Sequence, residues 1–316
     1  MRARLLLGAW LACVPAGALA QTPPGAPPPP AAPAPPAARE PDLAYAAYQR
    51  GLFLTALSEA SARIKRDPTD AAAMTLIGEL HNQGLGMRQD PYKAAEWFRL
   101  AGRRGDARAL AALGLMALDG RGMDKNLQQG RAWLEAAAAK GEPAASYNLA
   151  LLLLTTDTAA DLARAAVLLR VAAEAELADA QHALGVLHLR GHGVPRDSAA
   201  AARWLRKAAD NGNPAGEVEY AILLFNGEGV AADEGVAARY FRRAAAKGNA
   251  IAQNRLARLY AAGRGLPQNL VEAGAWHLLA VAQGRTDAWL DSTLRTLSVD
   301  DRTKAERLAA ERAGRT

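Results

Sequence analysis

Residues 214–248 read PAGEVEYAILLFNGEGVAADEGVAARYFRRAAAKG, and this stretch decides the fold. Val218, Ala221, Leu224 and Phe225 recur at helical spacing, so Pro214 to Asn226 is read as a first helix. Asn213 stands at its N-cap, and proline takes the first helical position, where a backbone N–H would have no intrahelical partner. Gly227 and Gly229 end the helix, because glycine enters the left-handed conformation that a helix exit needs. Asp233 is placed to cap a second helix that runs to Lys247 and stops at Gly248. Tyr240, Phe241 and Ala244 are its inward side.

The same unit recurs along the chain. A small anchor residue near the end of each first helix falls at Gly78, Gly114, Ala150, Gly185, Ala221 and Ala257, at intervals of 36, 36, 35, 36 and 36. Gly-x-Gly exits stand at Gly84/Gly86, Gly120/Gly122, Gly191/Gly193, Gly227/Gly229 and Gly263/Gly265. The second N-caps are Asp90, Asn126, Asp197, Asp233 and Asn269, the last forming a capping-box pattern with Glu272. An aromatic follows at Trp97, Trp133, Trp204, Tyr240 and Trp276; beside Leu or Phe and one turn before Ala, it reads as inter-helix core. Self-similarity at this period means stacked helix pairs, none able to bury its apolar face alone. The expectation is an all-α chain, an α-solenoid of about eight stacked antiparallel helix pairs. The third unit departs: its loop, Thr155 to Ala160, is one residue short and lacks glycine, and Leu168 replaces the aromatic. A continuous stack with a different local turn is expected there.

The pattern is carried best by residues 180–212, with Leu184-Gly185, Gly191-His192-Gly193-Val194, Asp197, Trp204-Leu205, Ala208-Ala209 and Gly212. It resembles the Sel1-like repeat, a longer-loop relative of the tetratricopeptide repeat. The resemblance covers residues 71–284 as six repeats and implies a right-handed superhelix and a protein–protein adaptor. It implies further, for exported bacterial members, work in envelope signalling, exopolysaccharide control or stress response.

The ends extend the reading. Arg2 and Arg4, an apolar run from Leu5 to Val14 and the small residues Ala18 and Ala20 make residues 1–20 a secretory signal peptide, cleaved after Ala20. A periplasmic location follows. Cys13 as a lipid acceptor is disfavoured, since Trp10 stands where an aliphatic residue is usual. Residues 21–41 hold ten of the 17 prolines and read as a disordered Pro/Ala linker. Residues 42–70 are a capping helix pair with Tyr45, Tyr48, Phe53, Leu54 and Leu57 as apolar anchors. Residues 285–316 are a second capping pair, with Trp289, Leu290 and Leu294 facing in.

The formal charge is +6, from 38 basic and 32 acidic residues, and falls to +4 once Arg2 and Arg4 leave. So mild a balance gives no case for nucleic acid. The glycine pairs lack the phosphate-loop spacing, and neither a His-Glu-x-x-His nor a Gly-x-Ser-x-Gly motif occurs. Of His81, His182, His188, His192 and His277, only His188 and His192 stand four apart; no acid lies at ligand spacing beside that pair, and His277 reads as a core histidine. No enzyme activity, cofactor, metal or transmembrane segment is expected. The partner is expected to be a protein or peptide. Polar first-helix residues that could meet it are Glu79, His182, Glu217, Glu219, Gln253 and Asn254. The alternative is an anionic glycan bound by basic second-helix faces: Arg99, Arg103, Arg104, Arg206, Lys207, Arg242, Arg243 and Lys247.

Overall fold

The structure, a computed structural model, describes residues 42–314; the expected signal peptide, the expected linker and Cys13 lie outside them. Sixteen helices and no strand are found among the described residues. The N-terminal pair is α1 (Leu43–Gln49) and α2 (Phe53–Arg66). Six repeat pairs follow. They are α3 (Ala71–Gln83) with α4 (Pro91–Arg103), α5 (Ala107–Asp119) with α6 (Leu127–Ala139), and α7 (Pro143–Leu154) with α8 (Ala159–Glu174). Then come α9 (Ala178–Arg190) with α10 (Ser198–Asp210), α11 (Pro214–Asn226) with α12 (Glu234–Ala246), and α13 (Ala250–Ala262) with α14 (Leu270–Ala282). The last two helices are α15 (Ala288–Leu294) and α16 (Val299–Ala313). Each helix packs on its partner and on the next pair, which makes an α-solenoid. Among the described residues no helix is long and apolar enough to cross a membrane.

Local chemistry sets the helix ends. Asp90, Asn126, Asp197, Asp233 and Asn269 each accept an N–H from the third residue onward, as do Asp106, Asn213 and Asn249 in first helices. Each such cap is worth about 1 kcal/mol. The capping box at Asn269 closes on one side only. Its own N–H goes to the Tyr260 carbonyl, and the Glu272 carboxylate turns instead to Arg312 of α16, 2.9 Å away.

The two glycines of each exit have different tasks. The first ends the first helix in the left-handed region, for example Gly227 with φ 70°. The second is pressed against the preceding repeat. A Cβ on Gly229 would lie 2.1 Å from the Ser198 carbonyl oxygen, at the start of α10. Gly122, Gly193 and Gly265 meet Pro91, Leu162 and Glu234 in the same way. The loop therefore sets the pitch of the stack as well as the turn.

The small anchors make room for one large side chain each. A Cβ on Gly78 would stand 2.6 Å from the Phe98 ring, and one on Gly114 or Gly185 would stand 2.7 Å from Leu134 or Leu205. These partners are the residues after the tryptophans, and they are the fully buried ones. The tryptophan reading is corrected accordingly. Trp97, Trp133 and Trp204 are half-buried at the seam with the preceding repeat, and only Trp276 is buried, under Arg312. A helix face turns about 100° per residue, so the first of two adjacent apolar residues lies off the axis that meets the anchor.

The third pair keeps the stack with its own turn, as expected: α7 packs on α8 and α8 on α9. Asp157 and Glu176 adopt φ of 53° and 64° where other units have glycine. The ends differ more. In the first pair Ala44, Ala47, Ala56 and Ala60 form the buried contacts, while Tyr45 and Leu54 are exposed. In the last, Leu290 is buried, but Trp289 is 45% exposed because α16 lies along α14 and leaves α15 uncovered on that side.

Candidate functional site

Three of the six polar residues expected to meet a partner are consumed inside the stack. Gln181, Glu217 and Gln253 occupy one register position, 36 residues apart, and all are buried. Gln181 donates to the Ala173 carbonyl and Gln253 to the Ala245 carbonyl, each in the preceding repeat. Each also meets the C-cap residue of the following second helix: Asn211 at 3.0 Å, Lys247 at 2.9 Å and Gln283 at 2.9 Å. Glu217, 0% exposed, also pairs with Arg243 at 2.9 Å. This is a polar ladder between repeats. It corrects the reading of Glu217 and Gln253 as partner contacts, since both side chains are buried and bonded within the stack, out of a partner's reach. The recurrence of polar residues at the repeat period was the signal that could have revealed it.

Asn254 is corrected on the same ground. Its amide donates to Asp287, which Arg258 also holds through Nε at 2.6 Å and a second nitrogen at 2.9 Å. Burial alone would raise the Asp287 pKa, but Arg258, Asn254 and the Leu290 N–H outweigh it and hold the carboxyl well below the usual range. His277 is buried with Nε2 2.7 Å from Asp291 Oδ1, a core role.

Glu79, His182 and Glu219 remain partly exposed on the first-helix face. Glu79 accepts from Gln83 at 2.9 Å, and His182 Nε2 lies 3.4 Å from Glu219 Oε1. Between them runs a feature the sequence reading missed. The residue after each small anchor is Leu115, Leu151, Val186 and Ile222 in α5, α7, α9 and α11, all partly or fully exposed. The same register holds Glu79 in α3 and Arg258 in α13. One apolar row thus crosses four consecutive first helices and ends at a charge on each side. Beyond Ile222 it opens into a cavity of about 300 Å³ lined by Ile222, Phe225, Asn226, Arg255, Arg258, Leu259 and Trp289 among others.

The basic second-helix faces are largely occupied. Arg243 and Lys247 serve Glu217, Arg206 lies 3.6 Å from Asp210, and Arg242 donates to the Tyr260 hydroxyl at 3.1 Å. Lys207 stands 4.5 Å over the Trp204 ring, and Arg104 donates to the Leu100 carbonyl.

A family model described as Sel1 repeat matches residues 71–106, 107–142, 178–213, 214–249 and 250–284. The chain belongs to the Sel1 repeat family. The five matched Sel1 repeats leave 143–177 between them, where α7 and α8 supply the sixth, glycine-poor unit. The chain is similar to c5321, described as a protective antigen present in uropathogenic Escherichia coli strains displaying an SLR fold. Identity is 23% and TM-score 0.51, over 83% of this chain and 64% of that one, so this chain spans less than two thirds of its length. It is also similar to a Sel1 repeat protein from Oxalobacter formigenes, at 25% identity and TM-score 0.50, over 81% and 85% of the two chains. A comparison with curated proteins finds no match. Sel1 repeats are generally protein–protein interaction scaffolds, and the likeness to solved structures carries the fold.

Proposed function

We propose that this Sel1 repeat protein is an exported, non-catalytic scaffold that binds a protein partner in the cell envelope, probing it with its first-helix face. The carrying observation is the apolar row of Leu115, Leu151, Val186 and Ile222 at one register position. Extended repeat surfaces of this kind take extended or helical segments of other proteins. Export rests on the basic, apolar and small-residue pattern of residues 1–20. A role in envelope signalling or regulation is part of this proposal and rests on the resemblance to exported bacterial Sel1-like repeat proteins.

The anionic-glycan reading has less support, because Arg243 and Lys247 already serve the buried Glu217, and Arg206, Lys207 and Arg242 contact other side chains of the chain. Capture from envelope extracts at low and high salt separates the two. A partner held by apolar contacts survives salt, and one held by charges on the surface does not.

A further inference from the structure

Resting on that reading, the charge pattern of the face specifies its partner further. In α9 and α11, His182 faces Glu219, 3.4 Å apart. One repeat later the equivalent positions hold Val218 and Arg255. The carboxylate has become a guanidinium, and its internal partner has become an aliphatic group. Arg255 is exposed, and among the described residues no carboxylate engages it. Its neighbours in the cavity differ: Arg258 is tied to Asp287, and Arg264 is tied to Glu234 and lies 4.1 Å over the Phe225 ring.

The cavity itself is mainly apolar. Ile222, Phe225, Leu259 and Trp289 supply its walls, and Asn226 stands exposed on its rim. A space of about 300 Å³ admits one large side chain with the backbone that carries it. We infer that the cavity between α11, α13 and α15 takes an extended peptide segment in which a large apolar side chain enters beside Ile222 and Trp289 while an adjacent Asp or Glu pairs with Arg255. Asn226 offers its carboxamide to the peptide backbone. A carboxylated glycan would satisfy Arg255 but leave the apolar walls without a matching group, so the peptide is the better fit.

The test is selection of random dodecapeptides displayed on phage against the purified protein, followed by affinity measurement on synthetic copies of the enriched sequences. Sequences pairing Leu, Ile, Phe or Trp with a neighbouring Asp or Glu are expected. Their affinity should fall about tenfold or more with Arg255→Glu, as loss of a charge-assisted contact implies. Arg255→Ala should fall between this variant and the wild type. Arg255 has no internal partner, so both variants should melt with the wild type, and a circular dichroism scan checks this. Enriched peptides without acids, lost on Leu151→Arg but indifferent to Arg255, would overturn this inference and leave the scaffold reading standing. Failure to enrich any peptide that depends on either Arg255 or Leu151 would overturn both. Binding of a polyuronate that competes with the peptides and depends on Arg255 alone would overturn the peptide assignment in favour of the glycan.

Discussion

The buried carboxylate of Glu217 accepts from Lys247 Nζ at 2.9 Å, the same Nζ reaches the Gly212 carbonyl of the preceding repeat at 3.1 Å, and Gln181 and Gln253 hold the position of Glu217 in the neighbouring repeats. The ladder is thus built to accept either an amide or a carboxylate. Glu217→Gln should be nearly neutral, because a glutamine there can donate to the Ala209 carbonyl as its counterparts do to theirs. Glu217→Ala should cost about 1–3 kcal/mol, since it removes the acceptor that Arg243 and Lys247 share and leaves a gap at a buried seam. Urea denaturation of both variants decides it; equal costs would contradict the ladder.

The two kinds of glycine should separate in stability. Nothing lies within 4 Å of a Cβ on Gly248, so Gly248→Ala meets only the left-handed backbone cost of about 1–2 kcal/mol. Gly229→Ala adds a clash with the Ser198 carbonyl and should cost about 3 kcal/mol or more. Matching melting temperatures for the two would remove the pitch-setting role of the second glycine.

Tyr240 gives a titratable marker of one interface. Burial first, then its hydrogen bond to Asp210 at 2.9 Å, push its pKa up to about 12. The folded pKa is raised above the unfolded value of about 10, so the stabilising effect is complete below pH 10 and is lost as pH rises from there through about 12. The difference in stability between the wild type and Tyr240→Phe should therefore shrink over that window. A difference constant from pH 9 to 12 would contradict the contact.

Much of this architecture was legible because it is written in local chemistry. A cap is one Asp or Asn before a helix, and a left-handed exit is one glycine; Asn213, Asp233 and Gly227 needed no tertiary information. What escaped the sequence reading depends on how one repeat is rotated against the next. Glu217 and Glu219 are two residues apart on one helix, yet one is sealed in the seam and the other is partly exposed. The tryptophans mislead similarly, because Trp204 and Leu205 are both large and apolar, and only the position of Gly185 selects Leu205 for the core. The apolar row was hidden for a different reason: its members are ordinary helix residues until the stack aligns them.

The first-helix face can be altered without touching the core. Leu151 is 39% exposed, so Leu151→Arg can keep its head in water and should change stability by less than about 1 kcal/mol. Denaturation of this variant beside Leu149→Ala, whose parent side chain is buried, checks the contrast; the latter should lose about 2–5 kcal/mol.

The central claim, that this face carries the partner, is tested most directly by crosslinked capture from the intact cell envelope with wild type and Leu151→Arg as bait, at low and high salt. The account predicts one dominant protein, retained by the wild type at high salt and absent from the variant. Equal recovery by both baits, or recovery only of anionic polymer that high salt removes, would contradict it.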